Sequence, residues 1–235
     1  MKILPNIEIV DLGLYLKKER VLIVSDFHLG YERMLEEKGM LIPKFQLKDV
    51  LERLGKILER VKVKKIVING DLKHEHGKIL EQEWRDVLKL FDFLLGFGEV
   101  VVVKGNHDLL LGPIAGKRGV SMVKEYKIGE VLVAHGDEVV RKDSKVLVIG
   151  HEHPAIVLEE KGKKEKYKCW LMGKWKRKKL IVMPSFNLMV EGTDVLKGRL
   201  LSPYLEDVSK FEVYAVGEKE VLRFGKVKSL ISNKL

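Results

Sequence analysis

The sequence predicts an α/β protein in which two mixed β-sheets pack face to face with helices outside. Short, apolar, β-branched runs such as Val100–Val103 are typical of buried strands. In the first half of the chain these runs alternate with amphipathic helical patterns, which predicts right-handed crossovers and a mainly parallel sheet. After His107 the apolar runs become short and closely spaced, so we expect a β-rich second half.

The first half predicts strands and helices in alternation. Apolar residues at three- and four-residue steps define the two longer helices, and Gly39 ends a shorter one. In order, we predict strands and helices over 7–16 (strand), 21–25 (strand), 31–38 (helix), 46–61 (helix), 65–69 (strand), 81–95 (helix) and 99–103 (strand).

The second half predicts short strands on tight connections. They cover 121–126, 131–134, 146–149 and 155–159, followed by hairpins of 166–172 with 176–183 and of 211–216 with 220–224. No linker, low-complexity tract or internal repeat divides the chain. We therefore expect residues 1–235 to form one domain.

Composition describes a globular chain without a membrane segment. Of the 235 residues 46% are apolar and 33% charged, and no apolar run approaches the roughly 20 residues that a membrane helix needs. A single cysteine, Cys169, excludes an internal disulfide and fits a reducing compartment. The first residues lack the layout of a signal peptide, so we expect a cytoplasmic protein with no membrane partner.

The charge balance favours an anionic partner. Lysine and arginine number 44 against 34 aspartates and glutamates, which makes the formal net charge +10. Such a balance favours nucleic acid, although lysines also solvate ordinary surfaces. Only two glutamines and five asparagines occur beside abundant Lys and Glu, a bias found in heat-adapted proteins. A thermophilic source is therefore a hypothesis, and it weakens the charge argument.

Five predicted strands end in residues that bind metals, and all seven histidines lie in or just after these strand ends. Ligands of α/β proteins sit beyond the carboxyl ends of the strands. Residues two apart on an extended chain point the same way, which would let Asp26 and His28 hold one ion, and His151 and His153 another or a neighbouring one. The candidate ligands are Asp26, His28, Asp71, Asn106, His135, His151 and His153.

The chemistry of this set indicates a pair of divalent ions. Nitrogen and oxygen ligands without a thiolate suit manganese, iron, nickel or zinc. Seven protein ligands are too many for one ion. Shared by two ions roughly 3.5–4 Å apart with one bridging carboxylate, they fit a hydrolase that clamps a phosphoryl oxygen and activates a water.

The five motifs resemble, in order and spacing, those of calcineurin-like metallophosphoesterases. They are Asp26-X-His28, Gly70-Asp71, Gly105-Asn106-His107-Asp108, His135-Gly136 and Gly150-His151-X-His153. The resemblance implies a four-layer α/β/β/α sandwich and two ions, with manganese as the first expectation. One ion would be held by Asp26, His28 and His153, and the other by Asn106, His135 and His151. Asp71 would bridge them, and His107 would act as general acid.

A narrower resemblance extends the match to about residue 194. The segments 70–75, 150–155, 184–187 and 192–194 are similar to a branch known as DNA-ligase-associated phosphoesterases. Protein phosphatases of the superfamily carry an Asp-Arg pair where this chain has His74-Glu75. A carboxylate there would repel a phosphomonoester dianion, which argues against protein-phosphatase activity. The missing aspartate leaves open what orients His107.

Four further side chains have competing interpretations. Asp108 is expected to cap the turn after His107 rather than take part in chemistry. His74 and His76 either line a substrate pocket or belong to a solvated loop. Asn187 either forms a turn or contacts substrate. Of these we name His74 and Asn187 as substrate-binding candidates.

The most basic stretch is 161–179, which also contains Trp170 and Trp175. Lysines with interspersed tryptophans can follow a phosphate backbone and stack unpaired bases. In that case Lys176, Arg177 and Lys178 would contact nucleic acid. The alternative is a hairpin with one solvated and one core-facing side.

Together these features predict a two-metal phosphoesterase, most simply a phosphodiesterase or nuclease acting on nucleic acid, including single strands, or on nucleotides. Asp71 and Asn106 would serve catalysis with His107. The alternatives are an enzyme of small phosphodiesters and a catalytically silent scaffold with the same fold. A complete ligand set argues against the scaffold.

Overall fold

The computed structural model describes residues 1–78, 80–160, 162–197 and 199–232. Lys161, the first residue of the basic stretch, lies outside them. Two mixed β-sheets form the centre of the molecule. Among the described residues no helix is both long and apolar enough to cross a membrane.

The first sheet contains seven strands in sequence order, with antiparallel pairs at its start and parallel pairs from the fourth strand onward. Its elements are β1 (Lys2–Leu4), β2 (Ile7–Val10), β3 (Gly13–Leu16), β4 (Val21–Val24), α1 (Tyr31–Glu37), α2 (Gln46–Arg60), β5 (Lys65–Asn69), α3 (Glu81–Leu95), β6 (Glu99–Val103), α4 (Gly112–Gly116) and β7 (Ser121–Val123).

The second sheet is formed by the rest of the chain, whose elements are β8 (Glu125–Ile128), β9 (Val131–Ala134), β10 (Val146–Ile149), β11 (Pro154–Glu160), β12 (Lys163–Trp175), β13 (Lys178–Val182), β14 (Thr193–Asp194), β15 (Glu212–Val216), β16 (Val221–Lys226) and α5 (Val227–Ser232). The strand order is β14-β11-β12-β13-β10-β9-β8, and β15 pairs with β12 and with β16. Both predicted hairpins are confirmed.

Two predicted strands are wrong in their extent. The predicted strand over 7–16 is a hairpin of β2 and β3, because Asp11 takes a left-handed φ of 57° and reverses the chain. The predicted strand over 121–126 divides at Lys124 between β7 of the first sheet and β8 of the second. Alternating apolar residues continue through both breaks, so periodicity alone does not reveal them.

The core confirms the predicted face-to-face packing. Val133 and Val148 of the second sheet join the first sheet and its helices in one apolar cluster. The residues that directly precede these valines, Leu132 and Leu147, face the opposite side and pack with Tyr204 and Leu205. The fold is therefore an α/β sandwich of two mixed sheets, as predicted. Its outer layer on the second sheet is largely irregular chain with short helices.

Strand register places the carboxyl ends of the central strands together. Val24 of β4 pairs with Ile68 of β5, and Asn69 pairs with Val103 of β6. In the second sheet Val133 of β9 pairs with Val148 of β10. The polar residues that follow these five strands therefore meet at one edge of the sandwich. The prediction of a single domain stays a prediction.

Candidate metal centre

Side chains from both sheets converge at this edge. Two groups, Asp26 with His28 and His153, and Asp71 with His135 and His151, each bring three ligand atoms within 4.8 Å of one another. These groups divide the candidate ligands in the way that the family resemblance implies. His28, His74 and His107 form a further group of the same compactness. The assignment of individual ligands stays a prediction.

Asp71 lies between the two groups. Its Oδ2 is 3.7 Å from Nε2 of His28 and 3.4 Å from Nε2 of His135. Its Oδ1 accepts a hydrogen bond of 3.0 Å from the backbone N–H of His107. This position is the one that a bridging carboxylate requires.

Asn106 joins the second group through its carboxamide. Oδ1 lies 3.1 Å from Nε2 of His135, and Nδ2 lies 3.2 Å from Nε2 of His76. Asn106 begins a short 3₁₀ turn over Asn106–Asp108 directly after β6. The turn points the carboxamide toward the second sheet, so all seven candidate ligands lie together.

The backbone at the ligands is strained rather than extended. Asp26, His28, Asp71, His151 and His153 all have positive φ, between 46° and 64°. This left-handed region is costly for residues with a Cβ, and such strain concentrates at functional sites. The expectation that Asp26 and His28 lie on an extended chain is therefore wrong. Tight turns, and not strand pleating, bring these two side chains together.

Glycines in the motifs make room for ligands of neighbouring strands. A Cβ on Gly70, whose φ is +77°, would lie 2.1 Å from Nδ1 of His135. A Cβ on Gly150 would lie 2.1 Å from the Ser25 hydroxyl and 2.4 Å from Oδ2 of Asp26. The two sheets can therefore approach closely enough for their ligands to meet only because these positions lack side chains.

The electrostatics of the site favour ionised carboxylates. Burial opposes the charge on Asp26, but the imidazoles of His153 and His135 outweigh it and lower the pKa of Asp26. The pKa of Asp71 is lowered in the same way, against burial, by its hydrogen bond and charge interaction with His135. Although burial opposes it, the two carboxylates raise the pKa of His135 to about 10. Two buried negative charges thus require positive charge beside them.

The donor set fits divalent cations. Nε2 of His28 and Nε2 of His153 face each other at 3.3 Å. Nδ1 of His28 is buried without a hydrogen-bond partner among the described residues. Burial and the neighbouring His153 lower the pKa of His28 to about 3, so its imidazole is neutral and able to bind a metal. Cys169 lies buried in the apolar cluster that contains Leu132 and Leu147, so it is not among the candidate ligands.

The loop after β5 orients His107. Nδ1 of His107 donates to the backbone carbonyl of His74, which leaves Nε2 directed at the site, 3.7 Å from Oδ2 of Asp71. The backbone carbonyl thus takes the orienting role that the sequence left open. The His74 ring lies 5.0 Å from the Tyr31 ring, and the His76 ring contacts His107. Both histidines lie against the site, while the substrate role of His74 stays a prediction.

Glu83 supports this loop and escapes sequence analysis. Its buried carboxylate accepts hydrogen bonds from the N–H groups of His74 at 3.2 Å, Glu75 at 2.8 Å and Leu80 at 3.0 Å. Glu83 is the third residue of α3, but the residue before the helix is Leu80, so the Ser/Thr-x-x-Glu signature of a capping box is absent. The sequence therefore carries no signal that this carboxylate binds the loop.

Asp108 connects two loops. Its buried side chain accepts hydrogen bonds of 3.0 Å from the N–H of Gly105 and the N–H of Leu72. Burial and the neighbouring Asp71 raise the pKa of Asp108 to about 7. Asp108 caps its own turn, as expected, and also binds the backbone that follows β5. It therefore fixes the positions of the loops that carry Asp71 and His107.

The segment after β13 binds the backbone of the first ligand group. Backbone N–H groups of Phe186, Asn187 and Thr193 donate to the carbonyls of Ser25, Asp26 and His153. Oδ1 of Asn187 accepts a hydrogen bond of 2.9 Å from the N–H of Met189. The side chain of Asn187 is buried and has the turn-forming contact expected of it. A contact with substrate stays a prediction.

A buried lysine, which the sequence did not single out, holds that segment. Nζ of Lys168 donates to the Ser185 hydroxyl at 2.8 Å and to the carbonyl of Val190 at 2.6 Å. Burial lowers the pKa of Lys168 to about 7. A basic residue inside a basic stretch resembles its solvated neighbours in sequence, so only the structure distinguishes it.

The predicted nucleic-acid residues lie away from this edge. Lys176 and Arg177 form the turn between β12 and β13, and Lys178 is the first residue of β13. Nζ of Lys178 donates to the carbonyl of Lys142. β13 runs parallel to β10, so its first residue lies at the end of the sheet opposite the ligands. Five residues of strand separate the two ends by roughly 16 Å.

The tryptophans of the stretch are engaged within the protein. Trp170 is fully buried, and its indole N–H donates to the carbonyl of Asp11 at 3.0 Å. The Trp175 ring packs against Tyr204 at 4.7 Å and carries Nζ of Lys176 above it. Trp170 therefore cannot stack on an unpaired base. Nucleic-acid contacts of the three basic residues stay a prediction.

Comparison with known proteins identifies the family. A family model described as calcineurin-like phosphoesterase matches residues 19–183. This match covers well over half of the chain, so the chain belongs to the calcineurin-like phosphoesterase family, as the motifs predicted. A comparison with curated proteins gives no match.

Solved structures agree with this fold. Pseudomonas putida nuclease MPE is 20% identical with a TM-score of 0.66, over 92% of this chain and 93% of that chain. YfcE, a phosphoesterase from E. coli, is 13% identical with a TM-score of 0.40, over 89% and 94% of the two chains. Vps29 from Entamoeba histolytica is 16% identical with a TM-score of 0.35, over 86% and 96%. Only the first likeness is close enough to support the fold.

Gly150→Ala tests the glycine geometry. The added methyl group must displace Asp26 or Ser25, so we expect metal affinity to fall at least tenfold, as for other changes that misplace ligands. Isothermal titration with Mn²⁺ measures this. Gly55→Ala in α2, where nothing lies within 4 Å of the added Cβ, is the matched control and should bind metal normally. Normal metal affinity in Gly150→Ala would show that the site tolerates the shift.

Lys168→Met tests the buried lysine through the pH dependence of stability. The unfolded lysine titrates near 10.5 and the folded one near 7, so the unfolded state binds more protons between these values. The parent should therefore lose stability relative to the variant as pH falls from about 10 to 7, by up to tenfold in the unfolding constant per pH unit.

Urea unfolding of the chelator-treated proteins at several pH values measures this difference. Lys166→Met, at an exposed position on the same strand, is the control and should follow the parent. Parallel pH dependence of the parent and Lys168→Met would contradict a lowered pKa for Lys168.

Proposed function

We propose that the protein is a two-metal-ion phosphoesterase that hydrolyses phosphodiester bonds of nucleic acid or nucleotides, with Mn²⁺ as the first expected metal. The observation that carries this proposal is the position of Asp71 between two compact ligand groups on the two sheets. Family membership supports the reaction class. The likeness to a protein named as a nuclease supports nucleic acid as the substrate class.

The geometry supports a role for each residue of the site. Asp26, His28 and His153 would hold one ion, and Asn106, His135 and His151 the other, with Asp71 shared. When bound, such ions neutralise phosphoryl charge and acidify a water for in-line attack. The residues of the chain fix the ligands through strained turns, exclude bulk water by burial, and direct Nε2 of His107 toward the reacting phosphate. In its imidazolium form His107 would keep the Nδ1 proton on the His74 carbonyl and deliver the Nε2 proton to the leaving oxygen.

The choice between a diester and a monoester follows from the loop after β5. Glu75 is half-buried beside His74, where related protein phosphatases carry arginine. A diester carries one negative charge, so it is repelled less than a monoester dianion. A small phosphodiester remains the second candidate, favoured by the remote position of Lys176–Lys178.

Asp71→Asn tests the function. Removing the shared charge should lower both the metal content and the turnover of bis(p-nitrophenyl) phosphate. We expect turnover to fall by more than roughly 100-fold, because changes of residues that only hydrogen-bond to metal ligands already cost roughly 10- to 100-fold. The metal-free variant should fold normally, because Asp71 and Asp26 repel each other. Metal analysis, steady-state kinetics and thermal unfolding measure the three quantities.

The control for this variant is Asp92→Asn, which removes an exposed carboxylate paired with Arg118. It should keep metal and full turnover. An Asp71→Asn protein that retained both ions and full turnover would contradict the bridging role. A parent protein loaded with Mn²⁺ that cleaved no phosphodiester would contradict the enzyme and favour the scaffold.

His107→Ala tests the general acid. Proton donation is worth roughly 10²–10⁴-fold in rate for a poor leaving group such as a nucleoside alkoxide. Nitrophenolate hardly needs the proton, so turnover of bis(p-nitrophenyl) phosphate should suffer much less than turnover of a dinucleotide. Metal content should stay near that of the parent. Equal losses on both substrates would leave His107 an electrostatic or positioning group.

A further inference from the structure

A groove of about 540 Å³ opens directly from the second ligand group. Asn106 and His135, both candidate ligands, form its inner end. From there it runs between the turn after β6 and the segment after β9, over the place where β7 passes into β8. The groove therefore continues the candidate site across the surface.

The floor and rim of this groove are apolar. Met122, Val123, Ala134 and Val140 line it, and Leu109 stands at its edge with 63% of its surface exposed. Leu109 follows His107 by two residues and lines the same groove as Asn106. An exposed leucine beside a polar centre is the kind of surface that contacts a nucleobase or sugar.

Charged residues of both signs line the groove. Lys104 is exposed, and the part of the chain that the structure describes offers its ammonium group no ion pair or hydrogen bond. Its backbone N–H donates to the Val123 carbonyl at 2.9 Å, which fixes its Cα beside Asn106. Asp137 and Glu138 also line the groove, and Glu138 pairs at 3.3 Å with Lys124, which lines it as well.

This arrangement selects what the groove can hold. A second phosphate near Asp137 would be repelled, whereas a neutral nucleoside would rest on the apolar floor and donate hydrogen bonds to that carboxylate. A phosphate on the Lys104 side would meet an unpaired ammonium group. A nucleoside with a flanking phosphate therefore matches both the Asp137 carboxylate and the Lys104 ammonium group.

We propose that the groove binds the nucleoside on one side of the scissile phosphodiester, with Lys104 binding the adjoining phosphate. The inference rests on the proposed function and assigns the substrate subsite on the side of Asn106. It makes Lys104 and Leu109 specificity residues for nucleotide substrates over simple aryl diesters. The basic turn at 176–178 has no part in it.

The first arm of the test measures specificity with Mn²⁺-loaded enzyme. The ratio of kcat/KM for the thymidine trinucleotide TpTpT, which carries a second phosphate beside the scissile one, to that for bis(p-nitrophenyl) phosphate should fall about tenfold in Lys104→Glu and about threefold or more in Leu109→Ser. The matched controls are Lys127→Glu, an exposed lysine on β8, and Leu222→Ser, an exposed leucine on β16. Both should keep the parental ratio.

The second arm measures binding without turnover. Fluorescence anisotropy of a labelled twelve-residue oligothymidylate, bound to Asp71→Asn proteins, is followed against salt concentration. Each phosphate contact on a single strand contributes about 0.7 to the slope of log K against log salt. Adding Lys104→Ala should reduce the slope by about that amount, and adding Lys127→Ala should not.

The two arms separate the inference from the function on which it rests. Unchanged ratios and slopes in the Lys104 and Leu109 variants, with active parent enzyme, would overturn the groove and leave the phosphoesterase intact. A parent that cleaves no phosphodiester would overturn the proposed function, and the salt slope of Lys104→Ala alone would then decide the groove.

Discussion

The architecture depends on holding two ionised carboxylates, Asp26 and Asp71, in the buried edge between two sheets. Buried charges of like sign are tolerated only beside compensating groups. Here the compensating groups are imidazoles from the opposite sheet, above all His135, whose pKa rises in response. A divalent cation would take over that compensation and release the proton. Metal affinity and the contact between the sheets are therefore coupled in one cluster.

Bringing ligands from two sheets to one point requires sharp turns at the strand ends. The strand backbones keep ordinary register up to their last residues, and the strain begins immediately beyond them. The left-handed conformation of these residues is tolerated because hydrogen bonds to neighbouring backbone fix it. The N–H of Asp26 donates to the carbonyl of Gly70, and the N–H of His28 donates to the carbonyl of Asp71. Each turn is thus held by the turn of the neighbouring strand, which makes the ligand positions mutually dependent.

The sequence predicted the features that local patterns encode. Apolar runs placed the central strands, and their terminal Asp and His residues placed the ligands, because order along the chain corresponds to order along a parallel sheet. The failures occur where distant contacts decide. Asp11 reverses a strand through its backbone conformation, and Lys124 divides another between two sheets. Lys168 and Glu83 act through partners far away in sequence, which composition cannot identify.

The basic composition has no single structural meaning in this chain. Lys168 is buried and holds a segment behind the first ligand group, whereas Lys176 lies over a tryptophan at the remote end of the sheet. Lys104 alone among these three is both exposed and adjacent to the ligands. A uniform positive surface would attract any polyanion, but a single unpaired ammonium group beside Asn106 would act at one position of a strand bound there. Where a lysine stands relative to the strand ends therefore matters more to recognition than how many lysines the chain contains.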